Sequence, residues 1–188
     1  MENFYDEEIP NVDFLENKTK DLLKKVEGLM KFKFEDFYTL TKINEYSKNS
    51  QAIQQYFEFN NSTKKSDKNL NEIKGIYIFY DETDTPIYIG ISRKIFSRLR
   101  NHFLGKSHNE TTLVYLMSRD KYETKNNKLY SGERKDFPLD KYRPEYQENM
   151  KKNWKFSIIP ETDNYLLAYW EVYLACHLQT KWNTFETH

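Results

Sequence analysis

The apolar positions of this chain change period twice. From Asn11 to Met30 they recur at helical spacing, as Val12, Leu15, Leu22, Val26 and Leu29 with Leu23 and Met30 beside them. That spacing predicts an amphipathic helix capped by Asn11 or Asp13 and ended near Gly28. A second helical pattern runs from about Glu35 to Tyr46 through Phe37, Tyr38, Leu40 and Ile43, and Ser50 would cap a third, short helix carrying Ile53, Tyr56 and Phe57. Asn60 to Glu72 is polar and lacks aromatic anchors, so it reads as a linker. Beyond it, β-branched and aromatic residues fill Ile73 to Tyr80 and Pro86 to Gly90, joined by Asp81-Glu82-Thr83-Asp84-Thr85, the pattern of a β-hairpin.

The period then returns to helical. Ser92 suits the N-cap of a helix from Arg93 to about Phe103, and Glu110 to Ser118 forms another with Leu113, Leu116 and Met117 inward. Arg119 to Asn153 has no sustained period, carries prolines at 138 and 144, and is expected to be a charged, loop-like insert. Trp154 to Ile159 is a third strand, and Asn164 to Thr180 is the strongest helix of the chain. These elements predict an α/β (α+β) fold, a small three-stranded antiparallel sheet flanked by helices over residues 71–188. A helical N-terminal region over residues 1–70 would precede it.

Composition narrows the class. A chain of 188 residues most often means one domain with one sizeable core. Its mean hydropathy of −0.92 is polar, yet 15 Tyr, 13 Phe and 3 Trp supply large apolar faces, which argues against disorder throughout. No run approaches the roughly 18 apolar residues of a membrane span, and the acidic Met1–Glu8 is unlike a basic signal peptide, so a cytoplasmic protein is expected. The single cysteine, Cys176, excludes an internal disulfide or a cysteine metal cluster and fits a small apolar residue on a helix.

The net charge is zero, but its distribution is uneven. Between Ile91 and His108 stand Arg93, Lys94, Arg98, Arg100 and Lys106 with no acid, whereas Glu2 to Glu16 holds six acids and no base. A basic stripe on a neutral protein can track a phosphate backbone, because the backbone responds to the local field. It can equally be a solvated face.

Two helices break their own patterns. In the last one, Leu167, Glu171, Leu174 and Leu178 fall on one face, so a carboxylate stands in an apolar stripe. A desolvated carboxylate persists only with a cation, a metal or strong donors as partner. In the helix from Arg93, the inward side is Ile91, Ile95, Leu99 and Phe103, and Arg98 and His102 sit one turn apart at its edge. An interior salt bridge from Glu171 to Arg98 would account for both observations structurally.

Phosphodiester cleavage suggests another account. It requires a group that orients or deprotonates water, positive charge on the pentavalent phosphate, and stabilisation of the leaving oxygen. Tyr77, Arg98 and a cation on Glu171 match those roles. Gly75-Ile76-Tyr77 and Tyr88-Ile89-Gly90 on paired strands, then Arg98, His102, a lone Glu171 and Asn183 in that order, resemble the GIY-YIG nucleases over roughly residues 73 to 185. The resemblance implies that Tyr77 activates water with Tyr88 as its hydrogen-bonding neighbour, and that Gly90 leaves room for the phosphate. It further implies that Arg98 binds the scissile phosphate, that His102 relays a proton from Tyr77, that Glu171 is the sole metal carboxylate, and that Asn183 closes the site. The short spacing from Glu171 to Asn183 is similar to the restriction-enzyme branch.

A hard cation, Mg2+ or Mn2+, is the cofactor this implies, and DNA is the expected partner. Because the motif reads phosphates and not sugars, RNA stays open, with a toxin-like role, as does a catalytically silent nucleic-acid-binding module. Restriction, repair and mobile-element roles are all open for a DNA enzyme. A double-strand break would call for a homodimer or two binding events. Nucleic-acid contacts are expected from Gly90, Arg93, Lys94, Arg100, Lys106 and His108, the last of which also suits a solvated loop. The insert adds Lys125, Lys128, Arg134 and Lys135.

Overall fold

Asn11 begins the first helix, α1 (Val12–Glu27), by accepting the Phe14 N–H at 2.9 Å, and Gly28 ends it. The computed structural model describes residues 9–41, 45–48 and 72–184. After α1 come a two-residue strand, β1 (Phe32–Lys33), a single helical turn, α2 (Phe34–Phe37), and an antiparallel hairpin of β2 (Tyr38–Thr41) and β3 (Glu45–Lys48). The helix predicted over Glu35–Tyr46 therefore survives only as its first turn. Tyr38-Thr39-Leu40-Thr41 holds an aromatic residue and two β-branched threonines, which suit a pleated strand better than a helix. The Tyr38 hydroxyl is also committed to the Phe96 carbonyl across the core. The helix predicted after Ser50 and nearly all of the linker lie outside the described residues.

The main sheet consists of β1, β4 (Gly75–Tyr80), β5 (Pro86–Ser92) and β6 (Lys155–Pro160), in the order β1-β6-β4-β5 with every neighbouring pair antiparallel. It thus has four strands where three were predicted. The extra strand pairs Phe32 with Phe156 and Lys33 with Lys155, and two residues are too few to display a period. The β4–β5 turn is tied by Asp81, whose Oδ1 accepts from the amides of Thr83 and Thr85 at 2.9 and 3.0 Å.

Alternation along β4 builds two cores. Tyr77 and Phe79 face one side, which is covered by α3 (Ile95–Leu104), α4 (Thr112–Asn126) and α5 (Arg143–Asn153). Ile76, Ile78 and Tyr80 face the other, covered by α6 (Asn164–His177) and α1. Phe34 lies in the first core with its ring 4.9 Å from Phe103 and 5.7 Å from Phe79, so residues ahead of the linker complete the core around the sheet. On the opposite side the Trp170 Nε1–H donates to Thr19 Oγ1 at 3.2 Å, joining α6 to α1. Cys176 is exposed on α6. No helix among the described residues is long and apolar enough to cross a membrane.

The segment predicted as a loop-like insert is built as structure. Helix α4 runs on to Asn126, and two short 3-10 turns at 134–136 and 139–141 lead into α5. Buried Phe137 receives the rings of Tyr115, Tyr122 and Tyr130 edge-on at 5.4, 5.8 and 5.2 Å. The aromatic residues converge from different turns on one point, which produces a core without producing a period.

Candidate active site

The β4–β5 register sets Tyr77 opposite Gly90 and Tyr88 opposite Phe79, so both phenols lie on the α3 side of the sheet. Helix α3 then aims two side chains at Tyr77. His102 Nε2 is 2.9 Å from the Tyr77 hydroxyl, and Arg98 Nε donates to the same oxygen at 3.4 Å. Tyr77 is buried, and desolvation pushes its pKa well above the ordinary phenol value, with Tyr88 adding to the rise and Arg98 opposing it.

His102 has no exposed surface, and its Nδ1 makes no hydrogen bond among the described residues. An imidazolium needs both N–H groups satisfied, so burial, and after it the charge of Arg98, hold its pKa well below the usual value. The ring is neutral at pH 7.

Arg98 is fixed from its far side. Nη1 donates to the carbonyls of Asn109 and Glu110, each at 3.1 Å, and Nη2 donates to Thr112 Oγ1 at 3.3 Å. These partners sit just ahead of and on the first turn of α4. Sequence reasoning missed them because two are backbone carbonyls, which have no side-chain signature.

Glu171 stands on α6 between buried Leu167 and Leu174, where the apolar stripe predicts it. Burial raises its pKa, with the backbone N–H of Ile91 partly offsetting that rise. Its charge raises the pKa of both Tyr77 and Tyr88. Among the described residues no ion pair joins it to Arg98, whose guanidinium is taken up by the α4 turn. The structural salt bridge is therefore not the explanation for this buried acid. No group of three His, Cys, Asp or Glu gathers to hold a metal among the described residues.

Several of the expected site residues are engaged with other parts of the chain. The Asn183 amide is engaged within the chain: Oδ1 accepts the Ile89 N–H and Nδ2 donates to the Ile89 carbonyl, both at 2.8 Å, while Thr180 Oγ1 adds a bond to Oδ1 at 2.9 Å. With Trp182 N–H donating to the Ile87 carbonyl at 3.1 Å, it covers the outer edge of β5 as a strand would. A β-carbon on Gly90 would run into the Tyr77 phenol, which by itself accounts for a glycine at this position. His108 Nε2 donates to the Phe137 carbonyl at 3.1 Å with its ring against Tyr115, so it braces a loop. The Arg134 guanidinium lies 4.5 Å over the Tyr115 ring and donates to the His108 carbonyl at 2.8 Å, and it too is structural.

The other cations lie at the surface. Arg93 and Lys94 are exposed just ahead of α3, Arg100 on it and Lys106 after it, Lys125 and Lys128 are exposed at the end of α4, and Lys135 is exposed beside Glu133 at 2.8 Å.

No curated protein and no solved structure matches this chain. The GIY-YIG catalytic domain family matches residues 73–183, a span that begins just before β4, takes in both tyrosines, Arg98, His102 and Glu171, and ends on Asn183. That span is more than half of the chain, and within it His102 and Arg98 meet at the buried Tyr77 phenol: the protein belongs to the GIY-YIG nuclease superfamily.

Proposed function

We propose that the protein is a divalent-metal-dependent endonuclease that hydrolyses phosphodiester bonds in DNA. The observation that carries this reading is the convergence of His102 and Arg98 on the Tyr77 hydroxyl, together with a desolvated carboxylate at Glu171 whose charge raises the pKa of both phenols. A carboxylate that has no cationic side chain beside it among the described residues suits an external cation. A hard cation such as Mg2+ keeps several waters and takes oxygens from substrate phosphate, so one carboxylate is a sufficient protein anchor and binding is weak until nucleic acid arrives. Bound there, it would supply positive charge for the phosphate and the leaving oxygen.

The chain's own residues divide the remaining work. A phenol whose pKa is pushed up is not a standing base at neutral pH, so Tyr77 acts as a relay. Its oxygen takes a proton from the attacking water while its own proton passes to Nε2 of His102, in the tautomer that carries hydrogen on Nδ1. Arg98 normally disfavours a charged His102. An incoming phosphate opposes the Arg98 field and lowers that part of the penalty, burial being the larger part, when the proton must move. Arg98 also places its charge where the pentavalent phosphate accumulates negative charge.

One site cuts one strand, so a double-strand break requires two chains or two encounters. Incubating the purified protein with supercoiled plasmid and with RNA, in Mg2+, Mn2+ or EDTA, tests the proposal. Nicking of plasmid that EDTA abolishes is expected. Cleavage of RNA alone would assign the other substrate, and salt-sensitive binding without cleavage would identify a silent module.

A further inference from the structure

We propose that Ser107 and Glu110 are positioning residues for the cleavage reaction: together they form a capping box whose turn aims two backbone carbonyls at Arg98. The purpose of this clamp rests on the nuclease reading above, whereas its geometry does not. Ser107 Oγ accepts the Glu110 N–H at 3.3 Å, and Glu110 Oε2 reaches back to accept the Ser107 N–H at 3.0 Å. That reciprocal pair, three residues apart ahead of an apolar run, is the signature of a capping box. Glu110 Oε2 additionally accepts the Lys106 N–H at 3.1 Å and the Ser107 hydroxyl at 3.0 Å. These bonds, the Ser107 backbone first, hold the Glu110 carboxyl below the usual carboxylate range although it is exposed.

The box closes one turn, with the Thr111 N–H on the Ser107 carbonyl at 3.1 Å. Regular helical bonding resumes only with the Tyr115 N–H on the Thr111 carbonyl at 2.8 Å. The carbonyls of Asn109 and Glu110 fall between those two bonds and receive no backbone N–H among the described residues. They are the two acceptors that hold Arg98 Nη1. Thr112, which begins α4, holds Nη2 and also donates its hydroxyl to the Asn109 carbonyl at 3.3 Å.

The clamp is packed directly against the helix that carries Arg98. A β-carbon on Gly105 would lie 2.5 Å from the Asn101 carbonyl of α3, 2.6 Å from Glu110 Cβ and 2.9 Å from Thr111 Cγ2. From the other side, buried Gln147 of α5 donates to the Gly105 and His102 carbonyls at 2.9 and 3.3 Å. An arginine side chain is otherwise free to rotate about several bonds, so four hydrogen bonds from one rigid turn and one phenol define where its charge points.

The test compares Glu110→Ala, Ser107→Ala and Glu110→Gln with the wild type by two independent readouts. One is the solvent exchange rate of the Arg98 Nε–H, followed by NMR on 15N-labelled protein and assigned by its disappearance in Arg98→Lys. The other is the kcat and KM of plasmid cleavage in Mg2+. Releasing the turn should speed the exchange about tenfold and lower kcat about tenfold with KM changed less than about twofold, since misplacing a positioned group acts on the transition state. Glu110→Gln should resemble the wild type in both, because an amide closes the same box. Should Glu110→Ala fail to fold, Ser107→Ala carries the same expectations. Wild-type exchange in a folded Glu110→Ala or Ser107→Ala protein overturns the clamp, as does a Glu110→Gln protein as impaired as Glu110→Ala. A wild type that cleaves neither DNA nor RNA defeats the nuclease reading, and the exchange rates then judge the clamp by themselves.

Discussion

Gly90 faces Tyr77 across the β4–β5 ladder, and the Tyr77 phenol fills the volume that a side chain at Gly90 would need. A β-carbon there would stand 2.5 Å from Cζ of Tyr77 and closer still to its hydroxyl. The ring cannot swing aside cheaply, because His102 and Arg98 hold its oxygen and the site is buried. Gly90→Ala should therefore destabilise the fold by about 1–3 kcal/mol and slow cleavage roughly a hundredfold by displacing the phenol. Denaturant unfolding and single-turnover cleavage would be measured together. Wild-type turnover in this variant would mean that the Tyr77 position is not critical.

The two tyrosines should separate in function. Tyr77→Phe removes the oxygen shared by His102 Nε2 and Arg98 Nε, leaving a buried imidazole with no hydrogen-bonding partner at either nitrogen among the described residues. A fall in turnover of about a hundredfold or more is expected, with binding to nucleic acid changed far less. Tyr88→Phe removes a hydroxyl that neighbours Tyr77 without bonding to His102 Nε2, and should cost less. The reverse ranking in a rate comparison of the two variants would exchange their roles.

Glu171 makes a prediction of opposite sign for stability and activity. Its folded pKa is raised by burial, so its protonated form is favoured by folding at acid pH, and that contribution is lost as pH rises through the folded pKa. At pH 7 the charged side chain opposes folding. Glu171→Gln should accordingly unfold at an equal or higher urea concentration than wild type at pH 7, with the gain shrinking toward about pH 4, while cleavage falls at least about a hundredfold. Marked destabilisation at pH 7 would indicate a structural partner, and full activity would remove Glu171 from the reaction.

His102 carries the pH dependence of the core. Its folded pKa lies well below its unfolded value of about 6.5, so the unfolded chain takes up the proton first as pH falls. Stability contributed by the neutral ring is complete above that value and should decline by about 1.4 kcal/mol per pH unit below it, until the folded pKa is reached. His102→Gln should flatten this limb of the curve. Parallel stability profiles for the two proteins between pH 7 and 5 would contradict the buried neutral imidazole.

How much of this is readable in the chain depends on where the signal resides. The hairpin, the Arg98–His102 pair and the acid in the apolar stripe are legible because each is a residue type set against a local period. In the folded chain Tyr77, Arg98 and His102 do converge. Strand β1 and the hairpin from Tyr38 are illegible for different reasons. A two-residue strand has no period, and Tyr38 to Thr41 can be read as part of a helix until its tertiary partners decide. The fold of residues 119–153 depends on rings meeting at Phe137, a relation between turns that no spacing rule detects. Asn183 stands out in the sequence as a polar residue at the end of the motif. Only the fold reveals that its amide is spent on the Ile89 backbone.

The cations of the insert divide into two groups with separable consequences. Arg134 is bound to the Tyr115 ring and the His108 carbonyl, so Arg134→Ala should destabilise the fold by about 1–2 kcal/mol and leave the salt dependence of DNA binding unchanged. Lys125 and Lys128 are exposed at the end of α4, where a lysine head can meet phosphate without giving up an internal partner. If the insert lies along the duplex, the double variant Lys125→Ala/Lys128→Ala should keep wild-type stability and reduce the slope of log K against log salt by about 0.9 for each phosphate that the removed lysines neutralise. Binding would be measured across a salt series and unfolding in urea for both variants. An unchanged slope in the lysine variant would show that the duplex is tracked elsewhere, with Arg93, Lys94, Arg100 and Lys106 around α3 the next residues to replace.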